Sequence, residues 1–187
     1  MTNKLGDSDF SQQRRSFMRS CTVMMTLGSG LLAFGDAQAS SSRELRLLNT
    51  HTGERLQQCY FRDGVFAHDA CQRLNHFLRD FRTGDVSKID PALYDVLYSL
   101  QHEVGHRGDI EIISGYRSPA TNSRLHTASS GVATHSLHMQ GKALDIRLSG
   151  FDTARLRDAA LKLKAGGVGY YAKSDFVHVD TGRVRHW

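Results

Sequence analysis

The stretch SLHMQGKALDIRL, residues 136–148, holds a histidine, a glycine and an aspartate at spacings that could gather ligands around a metal ion. Side chains alternate along a strand, so Ala143, Asp145 and Arg147 share one face while Leu144, Ile146 and Leu148 share the other. The aliphatic face belongs in a core, which leaves Asp145 facing a metal or a substrate. His138 lies seven residues earlier, a separation that an unbroken strand would send to the opposite face, and Gly141 can supply the bend that reunites them. FVHVD repeats the logic, with Phe176, His178 and Asp180 on one face. Two histidines and one carboxylate suit a catalytic zinc ion whose fourth position stays open to water. The competing reading is that the ten histidines simply scatter, and His51, His68, His76, His102, His106 and His186 are left under it.

Such ligands need a frame. RELRLLNTHTGERLQQCYFRDGVF alternates on both sides of Thr52-Gly53 and predicts a β-hairpin. HDACQRLNHFLRDFRTG spaces Leu74, Phe77, Leu78 and Phe81 as a helix stopped by Gly84. In DPALYDVLYSLQHEVG, Asp90 is an N-cap, Pro91 takes the first helical position, and Leu93, Val96, Leu97 and Leu100 form the stripe. DIEIISGYRS predicts a short strand ending in a turn. KALDIRLSG predicts another strand, TARLRDAALKLKA a third helix closed by Gly166-Gly167, and GVGYYAK and DFVHVDTGRV two last strand-like pieces. The fold class expected is α+β, a small antiparallel sheet with packed helices.

A chain of 187 residues with 40% hydrophobic content and two prolines has the composition of one globular domain. Its first 39 residues read instead as an export address: Arg14 and Arg15, then Phe17, then an apolar run from Cys21 to Gly35 that is short for a membrane span, then Ala37-Gln38-Ala39. Cleavage after Ala39 is predicted, the alternative being an uncleaved anchor or a core helix. Cys21 precedes the apolar run rather than closing it, so it does not resemble a lipidation site. Lys4, Arg14, Arg15, Arg19, Asp7, Asp9 and Asp36 leave with that segment, so the formal charge of +5 becomes +4 for residues 40–187. That mild excess is compatible with an acidic polymer such as a cell wall, and no Lys/Arg run marks a nucleic-acid patch. Cys59 and Cys71 are permitted to pair in an oxidising compartment, and free thiols fit equally well.

SLHMQGKALDI also matches the S-x-H-x-x-G-x-A-x-D pattern of the LAS metallopeptidases, the group of lysostaphin-type, D-alanyl-D-alanine carboxypeptidase-type and hedgehog-type domains. SGYRSPATN before it and FVHVDTG after it stand in the order of the carboxypeptidase-like branch. LLNTHTGERL, LNHFLRDFRTG and GVGYYAKSDFVHVDTGRVRHW extend the likeness, closest to a murein endopeptidase, over nearly all of residues 40–187. The resemblance implies that His138, Asp145 and His178 bind Zn2+, and that Arg117 holds a substrate carboxylate or the oxyanion. It implies a general base three residues before the last histidine, at Asp175. Strand alternation sets Asp175 opposite His178, so that role requires Asp175 to lie in the turn before the strand. Asp180 is the competitor, as base or as a partner orienting an imidazole. His135 is expected to line the cleft or to support a ligand from behind it rather than to bind metal. A hydrolytic water activated by zinc needs no serine or cysteine nucleophile, so Ser114, Ser118 and Ser136 read as turn and capping residues. Trp187, the only tryptophan, is expected to pack a strand rather than bind sugar.

The function so implied is an exported, periplasmic zinc peptidase acting on peptidoglycan stem peptides. It is expected to be an endopeptidase opening crosslinks, with diaminopimelate–diaminopimelate 3-3 links as the candidate bond. A D-alanyl carboxypeptidase and a non-catalytic, metal-containing wall-binding module are the rivals. Nucleic acid is not an expected partner, and a monomer is the simplest assembly.

Overall fold

A computed structural model describes residues 42–129 and 131–187, all within the unit Ala39–Trp187. The expected export signal and its cleavage after Ala39 lie outside the described residues.

Among the described residues there are four helices and one eight-stranded sheet of order β3-β2-β1-β4-β5-β7-β6-β8. The strands are β1 (Arg43–Asn49), β2 (Arg55–Arg62), β3 (Val65–Phe66), β4 (Ile110–Ser114), β5 (Ala143–Leu148), β6 (Gly167–Tyr171), β7 (Phe176–Asp180) and β8 (Arg185–His186). The helices are α1 (His68–Phe77), α2 (Pro91–Glu103), α3 (Pro119–Ala128) and α4 (Thr153–Leu163). The α+β class expected from the sequence is the class found. Most neighbouring strands are antiparallel, but β1–β4 and β6–β8 are parallel. A parallel neighbour cannot be reached through a tight turn, and between β1 and β4 the chain crosses through β2, β3, α1 and α2. The last expected strand-like piece, residues 175–184, is strand only over Phe176–Asp180, because the chain turns after Asp180 and returns beyond that piece as β8 beside β6.

The core is mainly aliphatic, with Tyr60, Phe77 and Tyr94 among its buried members. Leu45, Leu47, Ile110, Ile112, Leu144, Ile146 and Val177 are each at most 1% exposed, packed with Leu74, Leu93, Leu97, Leu100 and Leu156 from the helices. Burying each such side chain contributes roughly 1.5–3 kcal/mol. Cys59 and Cys71 are both free and half-buried, so they do not pair here.

Two local departures from expectation matter for the site. Helix α1 ends at Phe77 rather than at Gly84, because Asp80 draws the chain into a loop. The Asp80 carboxylate accepts from the backbone N–H of Arg82 at 3.0 Å, the backbone N–H of Ser118 at 2.9 Å and the Ser118 hydroxyl at 2.7 Å. Burial opposes its charge, yet the donors of Thr121, Ser118 and Arg82 outweigh that and hold its pKa down at about 2. The segment after Arg117, expected only as a turn, is helix α3. Ser118 caps it, its hydroxyl accepting from the N–H of Thr121, and Pro119 opens it. The buried residues of α3 are Thr121 and Asn122, so no apolar stripe announces it in the sequence.

Candidate metal centre

Strands β5 and β7 run side by side with Asp145 opposite His178, and alternation aims both side chains away from the aliphatic core. His138 comes from a 3₁₀ turn, Leu137–Gln140, capped by the hydroxyl of Ser136. Gly141 ends that turn in the left-handed region at φ 65°, and a Cβ there would collide with the carbonyl oxygen of Lys88. This glycine makes the bend that returns His138 to the face of Asp145.

The three side chains converge and are buried, at 1% exposure for His138, 3% for Asp145 and 8% for His178. His138 Nε2 lies 3.2 Å from Asp145 Oδ1 and 3.2 Å from His178 Nδ1, and His178 Nδ1 lies 2.9 Å from Asp145 Oδ1. Ligands on a tetrahedral ion with bonds of about 2.0–2.1 Å stand roughly 3.3 Å apart, so this triangle is close to the size such an ion requires. The other ring nitrogens decide which lone pairs point inward. His138 Nδ1 donates to the carbonyl of Gly115 at 2.8 Å, and His178 Nε2 donates to Asp180 Oδ2 at 3.2 Å. Two bare nitrogens and a carboxylate oxygen therefore face one point, an arrangement that repels itself unless a cation or a proton sits there. Among the described residues this trio is the one group of three or more His, Cys, Asp or Glu residues with ligand-like spacing.

Electrostatics follow from burial and neighbours. Burial lowers the pKa of His138 and favours its neutral, ligating form. Burial opposes the charge on Asp145, but His138, His178 and Arg117 overcome it and hold its carboxyl well below the usual range. Burial also opposes a charged His178, yet hydrogen bonds to Asp145 and Asp180 win and raise its pKa.

The remaining expected residues divide. Arg117 lines the cleft, pairs with Asp145 and donates from Nε to Ser114 Oγ at 2.8 Å. Asp180 is buried and has spent both oxygens: Oδ1 accepts from the N–H groups of Gly167 at 2.9 Å and Gly182 at 2.8 Å, and Oδ2 from Arg185 at 2.7 Å and from His178. These donors occupy both oxygens of Asp180. Asp175 does lie in the turn before β7, in the left-handed region at φ 51°. Its carboxylate is taken by Thr153 Oγ1 at 2.9 Å and Arg147 at 3.4 Å, so it is not gathered to the trio, although its neighbours Ser174 and Phe176 line the cleft. His135 is exposed on the cleft rim.

The cleft measures about 480 Å³, within the range of small-ligand sites. One lip is the segment from Gly131 to Ser136, pinned by the Asn122 amide, which donates to the carbonyls of Ala133 at 3.1 Å and Thr134 at 3.2 Å. The cleft is also lined by Tyr171, Phe176, Arg185 and Trp187, of which the sequence pattern places only Phe176 on the ligand face. Trp187 does lie along β6, over Gly169, but it is 51% exposed and its ring stands 5.2 Å from that of His178. The alternation that aimed His178 also aimed Phe176, a signal present in the sequence; nothing local tied Trp187 to the site.

Residues 37–187 match the model of the Peptidase_M15_2 family, described as peptidoglycan L,D-endopeptidase MepK. The peptidoglycan L,D-endopeptidase MepK of Escherichia coli strain K12 is 43% identical over 166 residues, covering 87% of this chain and 91% of that protein. The probable peptidoglycan L,D-endopeptidase MepK of Haemophilus influenzae is 42% identical over 146 residues, covering 78% of each.

Proposed function

The chain belongs to the Peptidase_M15_2 family, and from that membership we propose that it is a zinc-dependent murein endopeptidase cleaving crosslinks between peptidoglycan stems, of the diaminopimelate–diaminopimelate 3-3 type. The observation that carries the reading is the convergence of His138, Asp145 and His178, whose inward lone pairs form a triangle of tetrahedral size with one position left over. Bound there, zinc would activate water near neutral pH and polarise the scissile carbonyl.

The chain's own residues do the rest. Arg117 engages one oxygen of Asp145 and the hydroxyl of Ser114, and its other N–H groups remain for a substrate carbonyl or oxyanion. Ser114 fixes the plane of that guanidinium. Asp180 holds the tautomer of His178 that leaves Nδ1 bare. Asp175 takes the proton of the attacking water. To reach it, the carboxylate leaves Thr153 and Arg147, contacts of little net strength for a side chain 61% exposed. Its left-handed backbone at the head of β7 is an unusual conformation for a non-glycine residue, the kind of local strain that collects at working sites. Residues 1–39 direct export by the twin-arginine route and are removed after Ala39, placing a monomeric enzyme in the periplasm beside its substrate.

The test is chromatography of peptidoglycan fragments after incubation with the purified protein. New uncrosslinked stems, lost with chelator and restored by zinc, are the expected result, and release of free D-alanine alone would favour a carboxypeptidase. Replacing Asp175 with alanine should lower kcat by about 10²–10⁴-fold with zinc still bound. Undiminished turnover would remove Asp175 from the role of base.

A further inference from the structure

Trp187 is half-exposed at the cleft and is held in that state from several sides. Its Nε1 donates to the Tyr171 hydroxyl at 3.0 Å. Its indole lies over Gly169, where a Cβ would come within 2.6–2.8 Å of ring atoms. The guanidinium of Arg185 stands 5.0 Å from its centroid. Tyr171 in turn stacks on Phe176, with centroids 4.5 Å apart. The result is a fixed aromatic wall beside the ligand trio.

We propose that Tyr171, Phe176 and Trp187 form a substrate subsite that holds the uncharged aliphatic stem of the residue flanking the cleaved bond. This rests on the murein endopeptidase reading given above. Charge and distance choose the occupant. The one cation in the wall, Arg185, is spent on Asp180 through bonds of 2.7 and 3.1 Å, so the wall offers apolar faces and no free charge for a carboxylate. The indole is 5.2 Å from His178, and an extended peptide advances about 3.3 Å per residue, so the group on the wall lies within one or two residues of the reacting carbonyl. A glycan sugar, attached at the far end of a stem peptide, would not reach that position while the crosslink is being cut. Methylene groups packed on aromatic faces are the complementary chemistry.

Trp187 is the only tryptophan, so its fluorescence reports on the wall without turnover. Uncrosslinked stem peptides, which the enzyme has no crosslink to cut, are titrated into the zinc-loaded protein, with a peptide-free disaccharide in parallel. A saturable change in emission with stem peptide and none with disaccharide is expected, and Phe176→Ala, which keeps the reporter, should weaken half-saturation about tenfold. In turnover of crosslinked dimers, Trp187→Ala should raise KM about tenfold, with kcat and zinc content nearly unchanged, and Trp187→Phe should restore KM. Emission blind to stem peptide, with KM unmoved in both variants while crosslinks are still cut, would overturn the subsite and leave the hydrolase standing. Saturation by disaccharide alone would make the wall a sugar platform and equally overturn it. Absence of cleavage by the zinc-loaded protein would sink the hydrolase reading instead, while the titration still judges whether the wall holds peptide.

Discussion

The two faces of strands β5 and β7 share one backbone and one set of ladder hydrogen bonds, yet they do opposite work. On one face Leu144, Ile146, Val177 and Val179 disappear into the aliphatic core. On the other, Asp145 and His178 are as deeply buried but polar, and every polar atom they carry is aimed at a partner or at the point between them. The difference teaches that burial is used for two ends. Excluding water from the aliphatic face supplies folding energy. Excluding it around the trio sets protonation and sharpens electrostatic contacts.

Substitutions that treat the faces separately should break this comparison if it is wrong. Replacing His138 with alanine removes one member of the trio while leaving the core intact. Hydrolysis should fall by on the order of 10³-fold or more, and zinc measured by atomic absorption should drop below one per chain, with unfolding midpoints of the metal-free proteins little changed. Leu144→Ala is the mirror experiment, expected to cost about 2–5 kcal/mol in urea unfolding while the folded fraction keeps its zinc affinity. Loss of zinc binding by folded Leu144→Ala protein would show that the faces are not separable.

Asp180→Asn probes the boundary between them, since it weakens the anchor of His178 without touching the trio itself. Zinc affinity should fall about 10–100-fold in a competition titration, with kcat of the loaded enzyme much less affected. The smallest effect expected is that of pH. In the metal-free protein His178 has a raised pKa, so its proton competes for the site and zinc affinity should increase with pH until His178 is neutral. By linkage, the stability that charged His178 gives the metal-free fold is fully present below its unfolded pKa and is lost as pH rises through the raised folded value. Calorimetry in buffers of different ionisation enthalpy should detect proton release on zinc binding near neutral pH, and zero release would contradict this assignment.

Much of the site was legible because strand alternation is a local rule. Asp145, His178 and Phe176 were assigned to the cleft side from spacing alone, and Gly141 was identified as the bend. Helix α3 was hidden, since Thr121 and Asn122, which it buries, give no hydrophobic period, although the Ser118-Pro119 start signal was there. The partition between the two aspartates was equally out of reach. Asp180 shares a face with His178 by alternation, but only folding brings Gly167, Gly182 and Arg185 to consume its oxygens. The role of base requires Asp175 to lie in the turn before β7, and it does, while its hold on Thr153 joins residues 22 apart in the chain.

The sequence by itself determined the class of most elements, the two faces of the strands that carry Asp145 and His178, and the kind of chemistry that two histidines and an aspartate can support. Only the tertiary structure decided that β7 lies next to β5 with Asp145 against His178, and that Trp187 closes one wall of their cleft. The physical reason is range. Alternation and capping act between near neighbours in the chain, whereas the order and register of strands depend on which arrangement buries Leu144, Ile146, Val177 and Val179 together, and a slip of one residue would turn Asp145 or His178 into the core.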